Sequence, residues 1–170
     1  MRFKDEQAQD VLPLVAMYDH KTRMHFAHAC VRKGVDKHNV DNVKADLEWL
    51  GYRRFLVKSD QEHAIVALKQ AAVREMPWIE PMFEESPVTE HAANGHVEGA
   101  IKRIAGQVRC IKDATEHKYK TQFHARHMIL SWMIQHAAFL LNRYGVGKDE
   151  MISFRACAWE AVPKGDDTVR

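Results

Sequence analysis

The residues best suited to chemistry are two acids at the ends of two different elements. Lys58-Ser59-Asp60-Gln61-Glu62 presents Asp60 where an apolar, strand-like stretch (54–58) gives way to helical sequence. Asn94-Gly95-His96-Val97-Glu98 reads as an Asn-Gly turn opening a long helix, with Glu98 on its first turn. Thirty-seven residues lie between the two acids. A strand end and a helix start can converge in a folded domain, and hard divalent cations take carboxylate oxygens. The implied chemistry is metal-assisted attack on a phosphodiester. The competing reading is local: Ser59 and Glu62 have the spacing of a capping box for a helix over 61–74. That cap uses neither Asp60 nor Glu98.

The elements that must position these acids follow from hydrophobic period and turn chemistry. Residues 11–18 form an apolar run whose Pro13 suits an edge or a strand start. Asp19-His20-Lys21-Thr22 supplies a turn, and 24–31 reads as a second strand, giving an antiparallel hairpin. Val40, Val43, Leu47 and Leu50 fall three or four apart with Gly51 as a stop, which predicts a helix. Strand, helix and the strand at 54–58 then suggest a crossover into a parallel pair. A helix over 61–74 and a short strand within 78–83 follow, and 84–93, which contains Pro87, has the aperiodic character of an active-site loop.

The clearest period lies in 94–117, where Val97, Ile101, Ile104, Val108 and Ile111 make one buried seam. Glu98, Lys102, Arg109 and Lys112 share a neighbouring face at about 100° per residue. An acid followed by bases on one face would set a metal beside a track for phosphates; the bland alternative is a solvated face with a helix-supporting Glu98 and Lys102 pair. A further helix over 121–144 carries Leu130, Met133, Ile134, Ala137 and Leu141 and ends at Gly145, with Trp132 and Met133 expected in the core.

Composition limits the alternatives. The chain has 170 residues, 46% of them hydrophobic, enough for one domain with a real core. Its net charge of +2 makes any nucleic-acid role a matter of local placement. Cys30, Cys110 and Cys157 have no paired spacing, which argues against a disulfide scaffold and for a reduced compartment, nuclear or cytoplasmic. The start is too polar for a signal peptide, and no run suits a bilayer span. His124 and His127, or His28 with Cys30, lack the second ligand pair of a closed zinc site. No glycine-rich phosphate loop is present.

Taken in order, Lys58-Ser59-Asp60, Glu85-Ser86-Pro87, Asn94-Gly95-His96-Val97-Glu98, Gly106-Gln107-Val108-Arg109 and the run from His136 to Tyr144 resemble the integrase catalytic core of retroelement and retroviral Pol polyproteins, especially those of copia-like retrotransposons. The resemblance extends over 11–147. It implies a ribonuclease-H-like α/β fold, here a mixed sheet of about five strands flanked by helices, with a closing segment and polar tail at 148–170. It also implies DNA integration by hydrolysis and strand transfer with Mg²⁺ or Mn²⁺, held by Asp60 and Glu98 as the second and third acids of an Asp, Asp, Glu triad. By the same resemblance Lys102 is a DNA contact, with Arg103 and Arg109 nearby as further phosphate contacts. The first acid should lie on the first strand, where Asp5 is a weak candidate; the expectation is that the chain starts inside that strand and lacks the acid. Asp19 matches a position where relatives carry a non-catalytic acid. Two other readings stand beside the enzyme: a nucleic-acid-binding remnant without catalysis, and a structural module that self-associates. DNA is the expected partner in the first two, and a homo-oligomer in the last.

Overall fold

The computed structural model describes residues 2–5, 8–59, 61–85, 95–124, 127–147 and 150–155. Its named elements run β1 (Arg2–Asp5), β2 (Ala8–Tyr18), β3 (His25–Ala29), α1 (Lys37–Leu50), β4 (Arg54–Ser59), α2 (His63–Arg74), β5 (Glu80–Glu85), α3 (Gly95–Tyr119) and α4 (Met128–Tyr144). The class is α/β. The sheet differs from expectation: five strands divide into an antiparallel β1-β2-β3 sheet and a parallel β4-β5 pair.

Strand β2 is long and changes partner along its length. Its first half pairs with β1, from Ala8 opposite Asp5 to Pro13 opposite Arg2. Its second half pairs with β3, from Leu14 opposite Ala29 to Tyr18 opposite His25. Pro13 sits at the changeover. It accepts from Cys30 N–H through its carbonyl but has no N–H to return, so the ladder to β3 begins at the next residue. Among the described residues the second half of β2 pairs with β3 alone, and β4 with β5 alone.

The Asp19 turn is built by its own carboxylate. Asp19 Oδ2 accepts from Thr22 N–H, from the Thr22 hydroxyl and from the Tyr52 hydroxyl. Three donors on one oxygen give this acid a structural task, tying the β2–β3 turn to the approach of β4. Helix α1 starts with Asp36 accepting from His38 N–H and stops at Gly51, whose φ of 70° is the left-handed cap that glycine reaches without a Cβ penalty. The Ser59 and Glu62 capping box is not formed. Ser59 Oγ instead accepts from Lys69 Nζ, Glu62 pairs with Lys33, and α2 begins without a side-chain cap. The crossover also differs: the parallel pair is β4 and β5 across α2, and among the described residues β3 pairs only with β2.

The main core lies between α3, α4 and the three-stranded sheet. Ala27 of β3, Ile104 and Val108 of α3, and Leu130, Met133, Ile134, Ala137 and Ala138 of α4 are buried together. Of the predicted α3 seam, Ile104 and Val108 are buried and Val97, Ile101 and Ile111 half-buried. Trp132 departs from expectation at 54% exposed, stacked on His136 at 4.5 Å between ring centres, while Met133 beside it is fully buried. One helical position separates them by about 100°, enough to move a side chain from core to solvent. The predicted helix over 121–144 begins only at Met128, where His127 Nδ1 accepts from Ile129 N–H.

A buried amide locks α4 to β3. Asn142 Oδ1 accepts from His25 N–H at 2.8 Å, Asn142 Nδ2 donates to His25 C=O at 2.8 Å, and the His25 ring lies 3.1 Å from the same Oδ1. Burial holds the His25 imidazole below its ordinary pKa, helped by the charge of Arg103. A smaller core, Val40 of α1 with Leu68 and Ala72 of α2, supports the β4-β5 half. Between the halves, His28 of β3 bonds Asp46 of α1 at 2.8 Å. Burial pushes the Asp46 carboxyl up against the opposing effect of that histidine.

Candidate metal and nucleic-acid site

Glu98 occupies the first turn of α3 and is exposed. A carboxylate here is favoured by the unpaired N–H groups and partial positive charge of a helix start. Lys102 and Arg109 are exposed on the same helix, and neither is ion-paired among the described residues. Lys112, further along that face, is drawn into a pair with Glu116 at 2.8 Å. The Glu98 and Lys102 helix pair is not formed. Arg103 lies on another face, its guanidinium 5.9 Å from the centre of the Tyr18 ring at the end of β2. The exposed basic track on α3 therefore comprises Lys102 and Arg109, with Arg103 turned toward the sheet.

Asp60 lies outside the described residues, as do residues 86–94, which include most of the predicted active-site loop. The neighbours of each acid are nonetheless placed. Beyond Asp60, Glu62 accepts from Lys33 at 2.6 Å, which lies just past the end of β3. Lys69 holds Ser59 from the other side of β4 and also sits 5.0 Å from the Phe83 ring centre. Before Glu98, His96 packs on Tyr18 at 6.4 Å and on His20 at 4.6 Å. Glu62 is thus tied to the end of the hairpin where Leu14 faces Ala29, and His96 to the end where Tyr18 faces His25. Four residues of strand separate those ends, about 13 Å.

The donor chemistry of two carboxylates suits Mg²⁺ or Mn²⁺. Among the described residues no group of three or more His, Cys, Asp or Glu side chains is assembled to hold an ion. Asp5, the weak candidate for a first acid, is the last residue of β1, opposite Ala8 across a register shift. Three of the four candidates for zinc have other tasks: His28 bonds Asp46, His127 caps α4, and Cys30 is buried with its thiol directed at His28 C=O. Cys110 is exposed, and neither cysteine is in a disulfide.

Tyr18, His20 and His96 form a ring cluster beside Arg103, and sequence reasoning assigns these three rings no role. Its only sequence signal is position: Tyr18 and His20 end a strand, and His96 follows an Asn-Gly turn. Among the described residues no helix is long and apolar enough to cross a membrane. No family model matches the sequence, and no curated protein matches it either.

Proposed function

We propose that the chain is an integrase-core-like domain of retroelement origin, with ribonuclease-H-like element order, that binds DNA along α3. Asp60 and Glu98 are its metal ligands, and Lys102 and Arg109 its principal phosphate contacts, with Arg103 as a third. The observation that carries this reading is the order of the elements. Three strands lead into α1-β4-α2-β5 and two long helices, with one acid just past the end of β4 and the other on the first turn of α3. When bound, Mg²⁺ or Mn²⁺ would activate a water or a DNA 3′ hydroxyl and stabilise the departing oxygen. The chain's own contribution is to bring both carboxylates to one phosphate and to hold the flanking backbone with the bases of α3. The test is nicking and strand transfer on DNA ends with either metal. Activity should need the metal and vanish in Asp60→Asn and in Glu98→Gln; metal-independent cutting would defeat the assignment.

A second reading, DNA binding without catalysis, is favoured by one observation: the residues flanking the two acids are anchored at opposite ends of the β2-β3 hairpin. It predicts that Glu98→Gln retains DNA affinity, that affinity fades with salt as phosphate contacts exchange for counterions, and that no nick appears even with Mn²⁺.

A further inference from the structure

The turn that leaves α3 carries cations without carboxylate partners. Lys118 is in the last turn of the helix and Lys120 is the first residue past it; both are exposed, and neither is in an ion pair among the described residues. Elsewhere Lys33, Lys37, Lys44 and Lys58 each hold a carboxylate. The acids nearest the turn are occupied or face another way. Glu116 pairs with Lys112 at 2.8 Å and accepts from Phe123 N–H at 2.6 Å. Asp113 lies about 140° round α3 from Lys118.

The partial negative charge of a helix C-terminus draws cations to it. That accounts for cations here, but not for the backbone that one of them adopts. Lys120 has a φ of 50°, and Thr121 N–H donates to Glu116 C=O at 3.1 Å. This is the closing bond of a Schellman turn, whose left-handed residue is ordinarily glycine because a Cβ disfavours that conformation. A lysine therefore stands where glycine would be the more stable choice. The turn is also held in place, since Glu116 ties it to Phe123, whose ring packs on the main core. Between the two lysines Tyr119 is 65% exposed, and Lys118 Nζ lies 5.3 Å from the centre of its ring. With a cation on one face, the ring offers the other to solvent.

An open ring between two cations selects among polyanions. An acidic peptide has charge for the lysines and nothing flat for the ring. A nucleic-acid strand supplies a phosphate and a base face in every nucleotide. In a duplex those faces are covered by neighbouring bases, so a ring projecting from a turn needs an unpaired one.

We infer that the turn after α3 is a contact site for single-stranded nucleic acid. Tyr119 stacks on one base, and Lys118 and Lys120 hold the phosphates on either side of it. Lys118 stands about 160° and 180° round the helix from Lys102 and Arg109, so the site is separate from that basic track and does not rest on the integrase reading.

The probe is a fluorescein-labelled thymidine octanucleotide titrated into the whole chain at low salt and followed by anisotropy, with a uridine octanucleotide beside it to tell DNA from RNA. Binding should saturate, weaken about tenfold in Tyr119→Ala and persist in Tyr119→Phe. In a Lys118→Gln, Lys120→Gln double variant the plot of log affinity against log salt should be shallower by about 1.4, or about 0.7 for each phosphate contact on a single strand. Lys120→Gly separates binding from folding: it should weaken binding while melting no lower than the parent chain. Four results would overturn the inference. The first is no saturable binding of either strand. The second is affinity unchanged by Tyr119→Ala, which leaves only a general attraction of charge. The third is loss of binding in Lys102→Ala, Arg109→Ala with none in the turn variants, which assigns the strand to the α3 track. The fourth is binding to phosphatidylserine vesicles that competes with the octanucleotide and exceeds it in affinity, which makes the turn a membrane contact.

Discussion

The two halves of this molecule are finished to different degrees. Around α3 and α4, seven buried helix residues pack with Ala27 of the three-stranded sheet, and the Asn142 and His25 bonds pin helix to strand. In the other half, three buried residues hold α1 against α2, while Leu56, Met82 and Phe83 of the parallel pair are exposed. A two-stranded parallel sheet is a poor unit alone, since its pairing is slightly weaker per residue and its stability depends on cover. The contrast teaches that the α3-α4 half is the rigid platform and the β4-β5 half the adaptable one. The basic helix stands on the platform, and the strand that ends next to Asp60 belongs to the adaptable part.

The comparison can be broken most forcefully in the platform. Met133→Ala, at a fully buried position, should cost about 3–4 kcal/mol and lower the midpoint of thermal unfolding for the whole chain. Asn142→Leu leaves the His25 backbone N–H and C=O without partners and should cost about 3 kcal/mol. Chemical denaturation monitored by circular dichroism checks both. Leu68→Ala should cost about 2 kcal/mol, at the low end of the range because its cluster is small and free to collapse. Its sharper signature is selective: amides of α1, α2 and β4 should exchange faster while those of α3 and α4 keep their protection. Uniform loss of protection would remove the distinction between the halves.

A smaller effect follows from pH. The folded pKa of His25 lies below its ordinary value of 6.5 because burial disfavours the charged ring. A depressed folded pKa contributes stability that is present above the unfolded value and is lost as pH falls through the folded one. Thermal melts should therefore show the chain losing stability on acidification below about 6.5, with His25→Gln flatter over that window. Asp46 has the opposite sign. Its raised carboxyl contributes stability that is present below the ordinary aspartate value and is lost as pH rises through the folded one. Asp46→Asn should thus remove a mildly acid-favoured component, visible in the same melts.

Much of the fold was legible in the sequence where its signals are local and periodic. The α3 seam needs only helical period, the β2-β3 hairpin only two apolar runs around an aspartate turn, and the end of α1 only Gly51. What was not legible depends on distant partners. Ser59 and Glu62 have capping-box spacing, but Lys69 and Lys33 reach them through the fold and take both side chains. Trp132 reads as core from composition, and only the orientation of α4 turns it outward. Sheet continuity was not legible either, because strand partners are chosen across the fold, and no period within β2 or β4 reports them. For the candidate site, the placement of Glu98, Lys102 and Arg109 on one helix followed from spacing, whereas the stacking of Arg103 on Tyr18 required the tertiary contact.

The most direct test of the account is the salt dependence of DNA binding by the chain and by a Lys102→Ala, Arg109→Ala double variant, measured by fluorescence anisotropy on a short duplex. If α3 presents these two bases to phosphates, the plot of log affinity against log salt should be shallower in the variant by about 2, close to one unit for each contact removed. An unchanged slope, or no binding by the parent chain even at low salt, would contradict the assignment of α3 as the DNA-binding face.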